Sequence, residues 1–157
     1  MIAWSEFTQL APDLAARGRH LLLLSNPRPD PAAGLAYLAT IRKDGGPRIH
    51  PISPAFVAGS LYAFVLHISP KKNDLLRDQR YALHSWPHPM QPDSFNDEEF
   101  YLTGQATQIN DEALRQAVAD ICGDPVETGV VFELSIDRAM HKHRPHGPAL
   151  YTKWLAA

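Results

Sequence analysis

The stretch "GLAYLATIRKDGGPRIHPISPAFV", from Gly34 to Val57, indicates the class of fold to which this chain belongs. Its two halves are rich in strand-forming residues, and the tripeptide Asp44-Gly45-Gly46 separates them. Glycine adopts positive φ without the steric cost that other residues meet, so this tripeptide favours a tight turn between two strands. The stretch therefore predicts a β-hairpin of two antiparallel strands.

Four further segments have the composition of strands. They are "SLYAFVLHI", "RYALHSW", "EEFYLTGQATQI" and "VVFELSIDRAMHKH". In the last of them, Phe132, Leu134 and Ile136 share one face, while Val131, Glu133 and Ser135 share the other. Six strands with few helices predict a mainly β protein, a six-stranded antiparallel split β-barrel with short flanking helices.

Two helices flank these strands and follow the usual distribution of charge. Residues 11–24 and 111–122 have helical periodicity, with Asn110 as the expected N-cap of the second helix and Gly123 as its end. Both helices carry acidic residues in the first turn, where a negative charge interacts favourably with the helix dipole.

The segment "HISPKKNDLLRDQR" predicts a third, shorter helix that departs from this rule. Ser69 suits the N-cap and Pro70 the first helical position. Lys71 and Lys72 then place two ammonium groups at the positive end of the dipole, at a cost of about 0.3–1 kcal/mol each if they are merely tolerated surface charges. Alternatively, the Ser69 hydroxyl, the free backbone N–H groups and both lysines converge on a bound phosphate. The local sequence favours the phosphate site without excluding the first interpretation.

Length and composition limit the other functions that are plausible. A chain of 157 residues is expected to form one domain, residues 1–157, with the N-terminal helix at 11–24 and the barrel at about 34–154. A hydrophobic fraction of 45% with 20% charged residues is typical of soluble globular proteins. The net charge of -2 gives no general attraction to nucleic acid or to an anionic membrane, so neither is expected as a partner.

Targeting and cysteine content give two further expectations. The run "HLLLLS" is too short to span a bilayer and no signal peptide is evident, so a cytoplasmic location is expected. Cys122 is the single cysteine, and its place on the apolar side of a helix predicts a buried structural thiol rather than a nucleophile.

Four segments in this order resemble a known family. "LATIRKDGGPRIHPI", "LYAFV", "SPKKNDLLRDQRYAL" and "EEFYLTGQATQI" are similar to the FMN-binding split barrel of the pyridoxamine 5'-phosphate oxidase superfamily, over about Gly34 to Ile109. The resemblance implies a homodimer that binds FMN in a groove where the two subunits meet, with the phosphate held by basic residues of the barrel.

The resemblance also assigns cofactor-binding residues. Ser69, Lys71 and Leu75 match the family's phosphate motif, and Lys72 would supply a second charge. His50 stands where the oxidases carry a phosphate-facing Arg, and Arg48 lies two residues earlier on the same strand face. The residues implied beside the isoalloxazine ring are Pro51, Ile52, Phe64 and Val65.

Two departures from the family concern the ring and the substrate. Glu99 falls near a position where the oxidases have a Gln that touches the ring, and a carboxylate cannot donate that hydrogen bond. The chain ends "YTKWLAA", without the Arg- and His-containing motif that grips the vitamin's phosphate, so pyridoxamine phosphate is not an expected substrate. The resemblance therefore implies an FMN-dependent oxidoreductase that acts on an unknown small molecule, with no catalytic acid or base identified. A flavin carrier or sensor without turnover, and a barrel that binds deazaflavin or haem, remain alternatives.

Other candidate sites are weaker. "HKHRPH" places His141 and His143 on one strand face with His146 close behind, a spacing that suits a divalent metal or haem iron, although an exposed basic strand end is favoured. The Pro-rich loop at 87–97 predicts an ordered flap over a site. The chain contains no GxGxxG, Walker, GxSxG or HExxH motif, which leaves the corresponding enzyme classes without support.

Overall fold

The structure, a computed structural model, describes residues 1–24, 33–86, 97–144 and 147–157. The described residues form eight β-strands: β1 Ala36–Ile41, β2 Pro47–Ile52, β3 Pro54–Val57, β4 Ser60–Leu66, β5 Arg80–Ser85, β6 Asp97–Ile109, β7 Gly129–Arg144 and β8 Leu150–Leu155. They also form four α-helices, α1 Trp4–Leu10, α2 Pro12–Leu23, α3 Pro70–Arg77 and α4 Glu112–Cys122, and a 3-10 turn at Val126–Thr128. The prediction of a mainly β protein with flanking helices is confirmed. The flap predicted at 87–97 lies, except for residue 97, outside the described residues, as does His146.

All the strand pairs are antiparallel and belong to one sheet with the order β2-β1-β5-β6-β7-β4-β3, to which β8 adds beside β7. The strands β2 and β3 stand at opposite ends of this order, yet Ser53 alone separates them in the chain. The sheet must therefore curl until its two ends meet, which makes it a split barrel.

The predicted hairpin is confirmed. The strands β1 and β2 pair from Ala36↔Ile52 to Ile41↔Pro47, and the turn between them contains Gly45 at φ +83°. The Asp44 carboxylate accepts a hydrogen bond of 3.0 Å from the Gly46 N–H, which fixes the turn from within.

Other elements differ from the expectation. The second arm of the hairpin divides at Ser53 into β2, which pairs with β1, and β3, which pairs with β4. The strand β8 and the helix α1 were not predicted. The N-cap of α4 is Asp111 rather than Asn110, since the Asp111 carboxylate accepts a 2.8 Å hydrogen bond from the Leu114 N–H.

Two apolar clusters lie on opposite faces of the sheet. The larger fills the barrel and is covered by α1 and α2; it includes Phe7, Leu38, Phe132, Leu134 and Ile136, all fully buried. The smaller lies beneath α4 and includes Tyr62, Phe64, Val118, Cys122 and Val131. The predicted alternation along β7 is confirmed, because Val131 and Phe132 belong to different clusters. None of the helices among the described residues is long and apolar enough to cross a membrane.

Candidate cofactor groove

A groove of about 560 Å³ lies where the end of β2, the start of α3 and the end of α4 come together. We call it the α3 groove. Its lining residues are Leu35, His50, Pro51, Ile52, Ser53, Phe64, Leu66, Ile68, Ser69, Pro70, Lys71, Cys122 and Asp124. Six of the nine residues that the sequence assigned to a cofactor site are in this set: His50, Pro51, Ile52, Phe64, Ser69 and Lys71.

The start of α3 forms the polar end of the α3 groove. Ser69 is the N-cap residue with extended backbone, φ -78° and ψ 128°, and Pro70 is the first helical residue, both as predicted. Among the described residues, however, the Ser69 hydroxyl makes no capping hydrogen bond; the Ser69 carbonyl accepts from the Lys72 N–H at 3.1 Å instead. Ser69 therefore lines the groove, and its hydroxyl does not cap the helix.

Lys71 is held at the wall of the groove by β2. Its Nζ donates a 3.2 Å hydrogen bond to the Pro51 carbonyl oxygen. Burial lowers the pKa of the Lys71 ammonium, since the charged form is partly removed from water. An anion in the groove would offset that cost.

His50 stands beside Lys71 in a positive environment. Burial lowers the pKa of His50 below its usual value, and the nearby charges of Lys71 and Arg48 lower it further, while Asp74 acts in the opposite sense. The imidazole is therefore neutral near pH 7 in the absence of an anion. A negative group bound beside it would raise the His50 pKa and favour the protonated form.

An apolar wall continues from this polar end. Pro51 and Ile52 form one side, and the ring of Phe64, 9% exposed, forms another. Gly129 on β7 makes room for that ring, because a Cβ at this position would lie 2.6 Å from the Phe64 ring and 2.9 Å from the Val65 carbonyl oxygen. The absence of a side chain at Gly129 thus fixes where Phe64 meets the groove.

Three of the assigned residues do not line the α3 groove. Val65 alternates with Phe64 along β4, so its side chain is buried in the barrel core on the other face. Arg48 donates from Nε to Asp74 Oδ2 at 2.6 Å and lines a separate depression near the hairpin. Lys72 follows Lys71 on α3 but is not a lining residue. The Val65 side chain does not line the α3 groove, and its contact with a flavin ring stays a prediction.

Sequence reasoning missed three residues in or beside the site. Cys122 is 3% exposed and belongs to the cluster under α4, as expected of a structural thiol, yet it also lines the groove. Asp124 joins it there because Gly123 ends α4 in the left-handed conformation, at φ 73°, and turns the chain toward β2. Asp74 is 3% exposed under α3, although a mid-helix Asp in "KKNDLLR" gives no signal of burial.

His141 and His143 belong to a different region. His143 Nε2 lies 3.3 Å and His141 Nε2 3.9 Å from Glu98 Oε1, and Arg17 pairs with the same carboxylate. Glu99, expected near a flavin ring, instead pairs with Lys142 at 3.0 Å and does not line the α3 groove. Within the described ranges, no group of three or more His, Cys, Asp or Glu residues could hold a metal ion.

Comparison with solved structures identifies the fold. The haem-binding protein of Mycobacterium smegmatis superposes with a TM-score of 0.65 at 17% identity, over 87% of this chain and 57% of that chain. A candidate pyridoxamine 5'-phosphate oxidase from Listeria innocua gives a TM-score of 0.54 at 15% identity, over 71% of this chain and 89% of that one. An F420 reductase gives a TM-score of 0.51 at 18% identity, over 74% of this chain and 92% of that one.

No protein-family model and no curated protein matches the sequence. The likeness to solved structures, at 15–18% identity, shows the fold alone. That fold is the split β-barrel of the pyridoxamine 5'-phosphate oxidase-like proteins, which the sequence had predicted. Solved proteins with this fold include ones named for haem and for F420, so the fold leaves the cofactor open.

The α3 groove has the size of a small-molecule site and a lining that is polar at one end and apolar along its walls. Its volume of about 560 Å³ falls within the roughly 300–1,000 Å³ of small-molecule sites. One end carries the Ser69 hydroxyl, the Lys71 ammonium and the His50 imidazole, which suit a phosphate; Pro51, Ile52 and Phe64 offer apolar surface to a ring.

Proposed function

We propose that this protein is an FMN-binding flavoprotein and an FMN-dependent oxidoreductase that acts on a small molecule. The observation that carries the proposal is the shared lining of one groove by Ser69, Lys71 and His50 at one end and by Pro51, Ile52 and Phe64 along the walls. Basic and hydroxyl groups select a phosphate, while the apolar residues select a flat ring beside it.

In this proposal, FMN supplies hydride or electron transfer, and the protein supplies binding, orientation and electrostatics. Lys71 gives up its bond to the Pro51 carbonyl, or shares it, to reach the phosphate. His50 takes up a proton as the dianion offsets the charges of Lys71 and Arg48. Phe64, positioned by Gly129, limits the water that reaches the ring face.

The proposed active species is a homodimer with the groove at the subunit interface. Large apolar side chains beside the groove support this assembly, since Ile68 is 90% and Leu66 37% exposed. Exposed apolar side chains grouped at a groove are typical of an interface. Light scattering at micromolar concentration should report twice the chain mass of 17.5 kDa, and a monomer would contradict the shared groove. The cytoplasmic location expected from the sequence, and the one-domain organisation, stay predictions.

The visible absorption spectrum of the freshly purified protein tests the cofactor. We expect the bands of a bound oxidised flavin, bleaching on anaerobic reduction by NAD(P)H, and recovery in air. A haem or deazaflavin spectrum would show that the cofactor is not FMN but one of those in the names of structurally similar proteins. Flavin bands that NAD(P)H fails to bleach would favour a carrier or sensor. A colourless protein that takes up no added FMN would contradict the proposal.

A further inference from the structure

Asp74 is a buried carboxylate to which the proposed function gives no role. Its Oδ2 accepts hydrogen bonds from Thr40 Oγ1 at 3.0 Å and from Arg48 Nε at 2.6 Å. Its Oδ1 accepts from Arg77 Nη2 at 3.2 Å. Burial alone would raise the pKa of Asp74, but the hydrogen bonds from Arg48, Arg77 and Thr40 hold it below its usual value. The group is therefore an anion that joins α3 to β1 and β2.

The same helix has a second attachment to β2, one turn earlier. Lys71 precedes Asp74 by three residues, so the two side chains share a face of α3. Lys71 reaches the Pro51 carbonyl, and Asp74 reaches Arg48, which lies three residues before Pro51 on the same strand. Both attachments join the same short helix to the same strand. The contact of Asp74 with Arg48 therefore sets the orientation of α3 on β2, and with it the position at which the Lys71 side chain reaches the groove.

Arg48 is turned away from the α3 groove by this contact. It shares its strand face with His50 and Ile52, which line the groove, but its Nε is engaged beneath α3. The Asp74 carboxylate thus decides which basic side chain remains available to an anion.

We propose that Asp74 is a positioning residue that fixes α3 on β2 and thereby presents Lys71 to the phosphate of a cofactor in the α3 groove. This inference rests on the proposed function, and it adds the residue on which the selection of a phosphate depends. Asp74 touches neither the groove nor the cofactor, and acts through Lys71.

The sign of one substitution separates this role from a simple charge effect. Asp74→Asn removes a negative charge near the groove, so by electrostatics alone it should tighten the binding of an anion. If Asp74 positions Lys71, the same change should weaken FMN binding, by about fivefold to thirtyfold, without weakening riboflavin, which lacks the phosphate. A role limited to fold stability would weaken both ligands together.

A double-mutant cycle with Lys71→Ala is the decisive experiment. FMN and riboflavin dissociation constants are measured by flavin fluorescence for the parent, both single variants and the double variant. We expect Asp74→Asn to weaken FMN binding in the parent. In the Lys71→Ala background, the same substitution should weaken FMN binding by less than about twofold. An unchanged or tighter FMN constant in Asp74→Asn, or equal losses in both backgrounds, would overturn the proposal.

A measurement on the cofactor-free protein keeps the test independent of the proposed function. The pKa of Lys71 is followed by NMR titration of the lysine side-chain signals, with Lys71 assigned from its absence in Lys71→Ala. We expect Asp74→Asn to raise the Lys71 pKa toward its usual value, as the side chain leaves the groove wall for solvent. The loss of a nearby carboxylate would by itself lower that pKa, so an unchanged or lower value contradicts the role of Asp74.

Two further variants cover the case in which Asp74→Asn does not fold. Thr40→Val removes one hydrogen bond to the carboxylate while keeping the side-chain shape, and Arg48→Gln breaks the ion pair from the other side. In the parent background, both variants should weaken the binding of FMN but not of riboflavin. In the Lys71→Ala background, neither should weaken the binding of FMN. If both keep the parent's preference for FMN, the proposal is wrong. If the parent binds no flavin, the proposed function fails, and the Lys71 titration still decides the role of Asp74.

Discussion

Two basic regions of this molecule differ in how their charges are balanced. At the ends of β6 and β7, Glu98 faces Arg17, His141 and His143, and Glu99 faces Lys142. In the α3 groove, by contrast, Lys71 donates to a backbone carbonyl and, among the residues that the structure describes, pairs with no carboxylate. His50 beside it faces two cations, Lys71 and Arg48, although Asp74 partly offsets them.

The difference separates a structural cluster from a binding site. Charges that the chain neutralises itself hold elements together, as Glu98 joins α2 to the sheet through Arg17. Partly buried cations without an internal counter-ion are unfavourable until an anion arrives from outside. Substitutions in the two regions should therefore have opposite effects on FMN binding and on stability.

The largest expected effect is that of Lys71→Ala on FMN binding. Charge-assisted hydrogen bonds contribute roughly 1.5–3 kcal/mol, so FMN should bind about ten- to a hundredfold more weakly, while riboflavin changes little. The apo protein should be as stable as the parent or slightly more so, because a cation leaves a helix N-terminus. Flavin fluorescence titration and urea unfolding measure the two quantities.

Lys72→Ala is the matched control for that variant. It removes the same charge one residue along α3, from a side chain that does not line the groove. We expect FMN affinity to change by less than about threefold. An equal loss of FMN affinity in both variants would indicate that Lys72 also binds the phosphate. An unchanged FMN affinity in Lys71→Ala would indicate that the phosphate binds elsewhere.

Glu98→Gln should do the reverse, and lower stability without affecting FMN. The Glu98 side chain is 12% exposed and Arg17 41%, so solvent reduces the loss of their ion pair to about 1 kcal/mol in the free energy of unfolding. Glu6→Gln, at an exposed position on α1, controls for the change of net charge. A weaker FMN constant in Glu98→Gln would contradict the separation of the two regions.

A smaller effect concerns His141 and pH. Burial lowers the pKa of His141, and Arg17 and His143 lower it further, so the unfolded chain takes up a proton more readily than the folded one. Its contribution to stability is therefore intact above pH 6.5 and is lost as the pH falls toward the lowered pKa. His141→Gln should flatten this part of the stability profile, measured by unfolding at pH 5 to 7.5.

The smallest expected change is in the titration of His50. Lys71→Ala removes one of the charges that lower its pKa, so the His50 pKa should rise yet stay below its usual value, since burial is the largest cause. Added inorganic phosphate should raise it in the parent but less in the variant. NMR titration of the His50 ring signals measures both shifts of its pKa. If neither Lys71→Ala nor phosphate changes the His50 pKa, His50 is not part of the anion site.

Much of the fold follows from local patterns in the sequence. Asp44-Gly45-Gly46 predicts the hairpin, Ser69-Pro70 the start of α3, and Gly123 the end of α4, since each depends on backbone angles that a few neighbouring residues impose. The cap of α4 shows the limit of this reasoning, because Asn110 and Asp111 are equally suitable by type and only the path of the chain selects Asp111.

The site was predictable in part. The motif around Lys71 and the strand carrying His50 point to residues that line one groove, because alternation along a strand places alternate residues on one face. Phe64 and Val65 could not be distinguished in the same way, since both are apolar neighbours in a strand that is buried on both sides.

Interactions between residues close in the chain therefore account for what the sequence predicted correctly, which is most of the strands and helices, several of their ends and the basic motif. The tertiary structure was needed to identify the partner of Arg48, since Asp74 lies 26 residues away in the chain, with β3 and β4 between them. It also decided that Cys122 and Asp124 join the groove, because the packing of α4 against the sheet brings them beside β2. Contacts between distant segments depend on the packing of the whole barrel, which no short pattern encodes.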